Sequence, residues 1–407
     1  MIRNTRSSTR TSSHEVARAR VVVIGGGYAG VLAANGLTRR DGVDVTLVNP
    51  RPTFVERIRL HQLVAGTDDA VVDYADVLAP PVRLVVAEAI RIDPSARTVQ
   101  LSSGDVLAYD YLVYAVGSRS AAPQVPGAAE HAYPLAALDE ARRIREALDA
   151  APAGSPVTVV GAGPTGVETA AELAEAGWDV TLACGGVVGP YLHPRARRYV
   201  VRRLAALGVR VIDGPGSAVT EVRDDAVRLA SGREVMSAVT IWATGFGTSD
   251  LARRSGLTTD ELGRVLTDET LTSTDDDRIV ATGDAAAPSE MPFRMSCQAA
   301  VQLGPAAADT VLRRIAGEPP APIAVGMAAM CLSLGRRAGV YQFARRDDTA
   351  VRPYLSGRTG ATVKEAVCSG IVRMLALEAR RPGTVRLPRW VQHPDRRRAL
   401  EPVGAGR

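Results

Sequence analysis

Lysine is almost absent from this chain: among 49 basic residues only Lys364 is a lysine. The formal charge of +5 therefore rests on arginine. Arginines scattered along an alanine-rich chain, with no recognition motif beside them, reflect GC-rich coding and argue against a nucleic-acid partner. Cysteine is scarce too. Cys184, Cys297, Cys331 and Cys368 lie far apart, with no CxxC pair for zinc or thiol exchange and no spacing of a secreted disulfide framework. No metal site is expected, and a reduced, cytoplasmic compartment is the default. Long apolar runs are missing as well. The nearest candidate, residues 21–37, is broken by Gly25, Gly26, Gly27 and Gly30, short of the ~18–20 residues a membrane-spanning helix needs. The first twenty residues carry five arginines among Ser and Thr but no apolar core of a secretory signal. Residues 1–19 are expected to be a disordered tail.

What is present is a globular composition. With 407 residues, 46% apolar and 23% charged, the chain is too long for one core and implies two or three domains. It also contains an internal repeat. Val21-Val-Val-Ile24-Gly25-Gly-Gly27-Tyr28-Ala29-Gly30 recurs as Val157-Thr-Val-Val160-Gly161-Ala-Gly163-Pro164-Thr165-Gly166. Each copy is an apolar strand running into GxGxxG and then a helix. Each is followed by a second buried-strand pattern ending in a small-residue turn, at Ala115-Val-Gly117 and at Ala243-Thr-Gly245.

The motif has a geometric chemistry. Its first glycine permits a tight turn, its second lets backbone approach a pyrophosphate, and its third lets the helix pack on its strand. The helix N-terminus then offers free N–H groups to the phosphates. Gly25, Gly27 and Gly30 take these roles in the first copy, and Gly161, Gly163 and Gly166 in the second. Two nucleotides are expected, one per half. An acid normally ends the next strand to grip the adenosine ribose. Here that place is held by Asn49 and by Ala183-Cys184. Asn49 can still hydrogen-bond a ribose. The second site lacks an anion that would repel a 2′-phosphate and has Arg195, Arg197 and Arg198 downstream, which leans toward NADPH.

These residues resemble a flavoprotein with two dinucleotide-binding domains of the pyridine nucleotide–disulfide oxidoreductase superfamily. The closest likeness is to type II NADH dehydrogenases and related FAD-dependent oxidoreductases. The marks are Gly25 to Gly30, Gly161-Ala-Gly-Pro-Thr-Gly-Val-Glu168, Ala281-Thr-Gly283-Asp284 and Cys297-Gln-Ala-Ala-Val-Gln302. The resemblance implies an α/β chain with two Rossmann-like domains, for FAD and NAD(P)H, and a C-terminal α+β interface domain. The boundaries follow: 20–120 for the first part of the FAD domain, 121–248 for the NAD(P)H domain, 249–320 for the rest of the FAD domain, and 321–407 for the acceptor side. It also implies that Tyr28, Ala29, Asn49, Arg57, Gly117, Gly283 and Asp284 meet FAD, and that Pro164, Thr165 and Gly245 meet the nicotinamide nucleotide.

Residues 297–302 resemble the AQxAxQ quinone-site signature, with Cys297 in place of the first alanine. A helix starting here would aim its N-terminal amides at the flavin pyrimidine. Gln298 and Gln302, one turn apart, are expected to line the acceptor channel together. Glu168 resembles the acid near nicotinamide and flavin in the related dehydrogenases; as a bare sequence it could equally be a first-turn carboxylate. Disulfide reductases of the superfamily carry CxxxxC after the first two strands. The corresponding stretch, residues 54–62, has none, so electrons are expected to leave the flavin directly. His61 in that stretch could donate a proton near neutral pH.

Residues 363–377 read as an amphipathic helix with Lys364 and Arg373 on a basic face, so the protein could lie on the inner face of a membrane. A soluble homodimer is the competing expectation. The leading function is an NAD(P)H oxidoreductase with a quinone or similar conjugated acceptor. The alternatives are a soluble flavoenzyme tailoring a specialised metabolite and a non-catalytic FAD- or nucleotide-binding protein.

Overall fold

The computed structural model describes residues 18–384 and Arg396. Residues 1–17 of the expected tail, together with Pro388, Trp390, Pro394, Arg397 and Arg398, lie outside the described residues. Ala19, assigned to the tail from sequence, already opens the first strand.

Two five-stranded parallel sheets carry the repeat. The first contains β1 (Ala19–Ile24), β2 (Val43–Asn49), β3 (Arg83–Val86), β4 (Tyr111–Tyr114) and β10 (Ile279–Ala281), in the order β10-β4-β1-β2-β3. The second contains β5 (Ala132–Pro134), β6 (Pro156–Val160), β7 (Asp179–Ala183), β8 (Arg210–Ile212) and β9 (Val239–Trp242), in the order β5-β9-β6-β7-β8. Both orders place the glycine-bearing strand third and the next two strands outward on the same side. Only the edge strand differs: in the first sheet it arrives late in the chain, after the second sheet is complete. Val21 to Ile24 and Val239 to Trp242 are buried on both faces, as strands covered by helices on both sides of a sheet must be. Chain segments Ser118–Ser120 and Phe246–Thr248 pair antiparallel where the backbone crosses between the sheets.

Helix α1 (Tyr28–Leu37) is buried at every position, because it lies between the first sheet and α6 (Cys297–Ile315). The approach is close. A Cβ at Gly304 would stand 2.5 Å from the Ala29 carbonyl. In the second half α4 (Pro164–Glu175) follows β6, and the short α2 (Leu60–Ala65) packs on it.

The C-terminal part is a three-stranded antiparallel sheet, β11 (Ala329–Ser333), β12 (Gly339–Ala344) and β13 (Ala350–Ser356), crossed by the 24-residue α7 (Gly357–Arg380). Sequence periodicity marks the apolar face of α7 correctly but not its use. Ile371 and Leu375 belong to the core around α1, with Val367 and Met374 packed against it. That face is spent inside the protein and does not lie free for a membrane. Lys364 is not on a basic surface either; it is buried. No helix among the described residues is long and apolar enough to cross a membrane.

Candidate active site

The glycine loops separate into three physical cases, identically in both halves. Gly25 has φ +103° and a Cβ there would meet the Ala115 carbonyl oxygen at 2.3 Å; Gly161 has φ +106° and would meet the Ala243 carbonyl oxygen at 2.8 Å. Gly30 and Gly166 each leave no room, with the carbonyl oxygen of Gly25 or Gly161 at 1.8 Å. Gly27 and Gly163 are different. Their φ values of −82° and −70° suit any residue, and a Cβ at either would meet nothing within 4 Å. Neither backbone nor packing calls for glycine at these two positions. An outside group approaching the helix N-terminus does, and a dinucleotide pyrophosphate fits that requirement.

Around the first loop the sequence expectations hold unevenly. Asn49 accepts from Gly26 N–H at 3.0 Å and donates to the Arg51 carbonyl at 2.9 Å, so it secures the loop instead of standing free for a ribose. Ala29 is a packing residue, with Gly283 and Gly304 crowded onto it. Arg57 donates to Ser118 Oγ at 3.0 Å and to the Ala136 carbonyl at 3.1 Å. Ser118 in turn donates to Asp284 Oδ2 at 2.7 Å, while Asp284 Oδ1 accepts from Ser296 N–H at 3.0 Å. Ser296 caps α6 by accepting from Ala299 N–H. Gly117, Gly245 and Gly283 all have positive φ and turn the chain sharply at the strand ends.

A cavity of about 770 Å³ collects side chains from four segments. Tyr28, Arg57 and His61 come from the first fold, and Pro164, Thr165 and Glu168 from the second. Asp284, Cys297 and Gln298 come from the return to the first fold, and Cys331, Tyr341 and Lys364 from the C-terminal part.

Part of its lining is a buried ionic cluster. Glu168 accepts from Lys364 Nζ at 2.9 Å and from Ser333 N–H at 2.9 Å, with His61 Nδ1 at 3.8 Å from its other oxygen. Burial pushes the Glu168 carboxyl up, but Lys364 and its other partners outweigh this, and the net pKa is lowered. Burial likewise pulls the Lys364 ammonium down, and the adjacent carboxylate more than restores it, leaving it raised. His61 goes the other way. Desolvation lowers it to about 4 despite Glu168, so it is neutral at pH 7 and cannot be the cationic proton donor expected from its ordinary pKa. Its Nε2 is buried without a hydrogen-bond partner among the described residues. An outer ring supports the cluster: Arg59 bridges Glu56 and Glu365, and Arg336 bridges Glu172 and Glu365. The ring ties the first fold, the second fold and α7 together.

The two glutamines divide. Gln298 faces the cavity, its amide placed to exchange hydrogen bonds with Ala328 N–H (2.9 Å) and the Ala329 carbonyl (2.8 Å). Gln302 does not face it. It donates to the Gly326 carbonyl at 3.1 Å and accepts from Gly326 N–H at 3.2 Å, clamping α6 to the segment that leads into β11. One turn apart on a helix is near enough to share a stripe but not to share a partner. Burial pushes the Cys297 thiol up to about 11, and all four cysteines are free. The residue that sequence reasoning missed is Lys364. Its signal was rarity, the one lysine kept in a chain whose other basic residues are all arginine.

Two dinucleotide folds converging with a third segment on one cavity define a nucleotide-dependent flavoprotein oxidoreductase. Residues 19–304 match the family model described as pyridine nucleotide-disulphide oxidoreductase, and the chain belongs to that family. It is therefore an enzyme whose cofactors are FAD and NAD(P)H. It is 32% identical over 353 residues to an NADH dehydrogenase-like protein of Mycobacterium tuberculosis, covering 79% of this chain and 87% of that one. It is 26% identical over 393 residues to the type II NADH:quinone oxidoreductase of Staphylococcus haemolyticus, covering 86% and 94%. In fold it is similar to the sulfide:quinone oxidoreductase of Aquifex aeolicus (TM-score 0.75, 22% identity, 90% and 93% covered) and to NADH-bound NDH2 of Plasmodium falciparum (0.73, 16%, 90% and 99%).

Proposed function

We propose that this protein is an FAD-dependent NAD(P)H oxidoreductase that passes electrons directly to a quinone or similar conjugated small molecule. The observation that carries the reading is the convergence on one cavity of the first helical residues after the two glycine loops, Tyr28 and Pro164-Thr165, and of the Glu168–Lys364 pair. When bound, the two cofactors supply hydride transfer from nicotinamide to flavin. The chain supplies the rest. Gly27 and Gly163, with the helix N-termini behind them, would receive the two pyrophosphates. Arg57, Ser118 and Asp284 form a continuous hydrogen-bonded chain that would hold the ribityl side of FAD. Tyr28, at the head of α1, closes that side of the cavity.

On the acceptor side, Cys331, Tyr341, Val367 and Ile371 give a largely apolar wall, and Lys364 is the cationic donor set into it. Lys364 Nζ would offer an acceptor oxygen a charged hydrogen-bond donor, and Glu168 keeps it charged. Burial pushes the Cys297 and Cys331 thiols up, which disfavours the thiolates that a sulfur relay would need. Glu168 lies on the nucleotide-side helix and Lys364 on the acceptor-side helix, so the pair also couples the two substrates' compartments.

The test is an anaerobic titration of the purified yellow protein with NADH or NADPH, followed by a soluble quinone. Bleaching and recovery of the flavin band is expected; a flavin that binds but never bleaches would overturn the reading. A second reading is a soluble flavoenzyme acting on a specialised metabolite. It is favoured by α7, whose apolar face is committed to the core. Quinone turnover that does not respond to added vesicles, with faster turnover of another conjugated acceptor, would decide for it.

A further inference from the structure

The two nucleotide folds differ at one register point. In the first sheet, Asn49 at the end of β2 lies opposite Val86 of β3. In the second, Ala183 of β7 lies opposite Ile212 of β8, so the next pair along these parallel strands is Cys184 and Asp213. Asp44-Val-Thr-Leu-Val-Asn49 and Asp179-Val-Thr-Leu-Ala-Cys184 align without a gap. The polar residue that ends the second strand in one half has thus moved, in the other, to the end of the third.

The move is small in space, because neighbouring strands are only about 4.8 Å apart. Beyond the ladder the two strand ends are still joined, by Cys184 N–H to the Ile212 carbonyl at 2.9 Å and Gly214 N–H to the Gly186 carbonyl at 2.6 Å. Asp213 is exposed and makes no hydrogen bond or ion pair among the described residues. Its charge reaches the neighbouring strand: with burial as the larger cause, it helps push the Cys184 thiol up to about 12. Of the arginines that leaned toward NADPH, Arg197 is turned back onto the Pro190 and Leu192 carbonyls. Arg210, at the start of β8, is engaged with Thr181 Oγ1 and Asp179.

We propose that Asp213, reaching across from β8, is the acceptor for the adenosine ribose hydroxyls in the second fold and makes this chain select NADH over NADPH. The proposal rests on the reading that this fold takes the nicotinamide nucleotide. A dinucleotide lies across the carboxyl ends of the strands, and a carboxylate there accepts from the ribose hydroxyls. The same carboxylate repels a 2′-phosphate, so discrimination comes from a repulsive element as well as an attractive one.

The test uses the flavin-loaded protein and measures binding, not turnover: calorimetric titration with ADP-ribose and with 2′-phospho-ADP-ribose. ADP-ribose is expected to bind on the order of 100-fold more tightly, because the phosphorylated probe loses a ribose hydroxyl and meets the repulsion of the carboxylate. Asp213→Asn should weaken ADP-ribose roughly tenfold and narrow the ratio, with the thermal midpoint unchanged because the residue is exposed. Equal or tighter binding of the phosphorylated probe would overturn the proposal in favour of the exposed Arg195 and Arg198. An unchanged ratio in Asp213→Asn would overturn it too. Failure of both probes to bind would instead bring down the underlying reading of the second fold.

Discussion

The helices that follow the two glycine loops occupy the same place in the same strand order, yet they are built oppositely. Helix α1 has no charged residue and is buried throughout; α6 covers it with apolar and small side chains. Helix α4 carries Glu168, Glu172 and Glu175, and its neighbours meet them with Lys364, Arg336 and Arg203. What the fold demands is repeated, namely the strand, the turn and the close packing of the third glycine. What differs is the face each helix turns to its neighbours. The first half is sealed as a core, whereas the second is joined to α7 through charges that also line the cavity.

The largest effects should fall where the halves are alike. Gly30→Ala and Gly166→Ala each force a Cβ onto a backbone oxygen at 1.8 Å, which neither loop can relieve without opening. Each should cost about 3 kcal/mol or more and appear as a large drop in thermal midpoint or as insoluble protein. Comparable damage in both would confirm that the repeat is structural; a tolerated substitution in one half would break the equivalence.

The next effect belongs to the second half alone. Lys364→Met leaves Glu168 buried without its cation, and removing one partner of a buried pair costs about 3–5 kcal/mol. Adding Glu168→Gln should recover most of that in a denaturant midpoint, because the neutral amide can still accept from Ser333 N–H. If the double variant is no more stable than the single one, the pair is not the strut described here. Quinone reduction should remain low in both variants, separating stability from chemistry.

His61 gives the third effect, read against pH. Its folded pKa of about 4 lies below the ordinary 6.5, so the folded state binds fewer protons than the unfolded state between those values. The stability is fully present above pH 6.5 and is lost as the pH falls toward 4, by up to about 3 kcal/mol. His61→Phe should flatten that part of the stability curve. Between pH 6 and 8, where a pKa of about 4 keeps His61 neutral, the variant should leave the pH dependence of turnover unchanged. A turnover profile that breaks near 6.5 and is straightened by the substitution would show His61 to be charged at work, contrary to its burial.

Much of this was legible in the residues. Gly25, Gly30, Gly161 and Gly166 are written into a motif because local backbone geometry requires them, and a requirement that local survives in sequence. Asp284, which lines the cavity, stands out in sequence through its place after two such motifs. The ionic cluster was not legible, because Glu168, His61 and Lys364 come from three separated segments and only packing unites them. The protonation of His61 was misread for the same reason: its pKa is set by desolvation, which no neighbouring residue in sequence reports. Gln302 was placed by helical spacing alone, which gives a direction around the helix but not the partner, here the Gly326 backbone, that the side chain finds first. Asp213 is hidden by the parallel sheet, where adjacent positions in space belong to strands a helix apart in sequence.

The smallest effect on stability should carry the sharpest contrast in binding. Gly27 and Gly163 have ordinary backbone angles and open space where a Cβ would stand. Alanine at either should therefore change the stability of the apoprotein by no more than about 1 kcal/mol, because the gain from a less flexible unfolded chain is offset by the poorer fit of alanine at a helix N-cap. The added methyl instead occupies the approach of a pyrophosphate. Gly27→Ala should purify with less bound flavin, while Gly163→Ala should purify yellow and show a KM for the nicotinamide nucleotide raised roughly tenfold, the equivalent of about 1.4 kcal/mol. Identical losses in the two variants would mean that the halves do not divide the cofactors between them. Opposite losses, with both proteins fully folded, would show that these glycines serve the ligands alone.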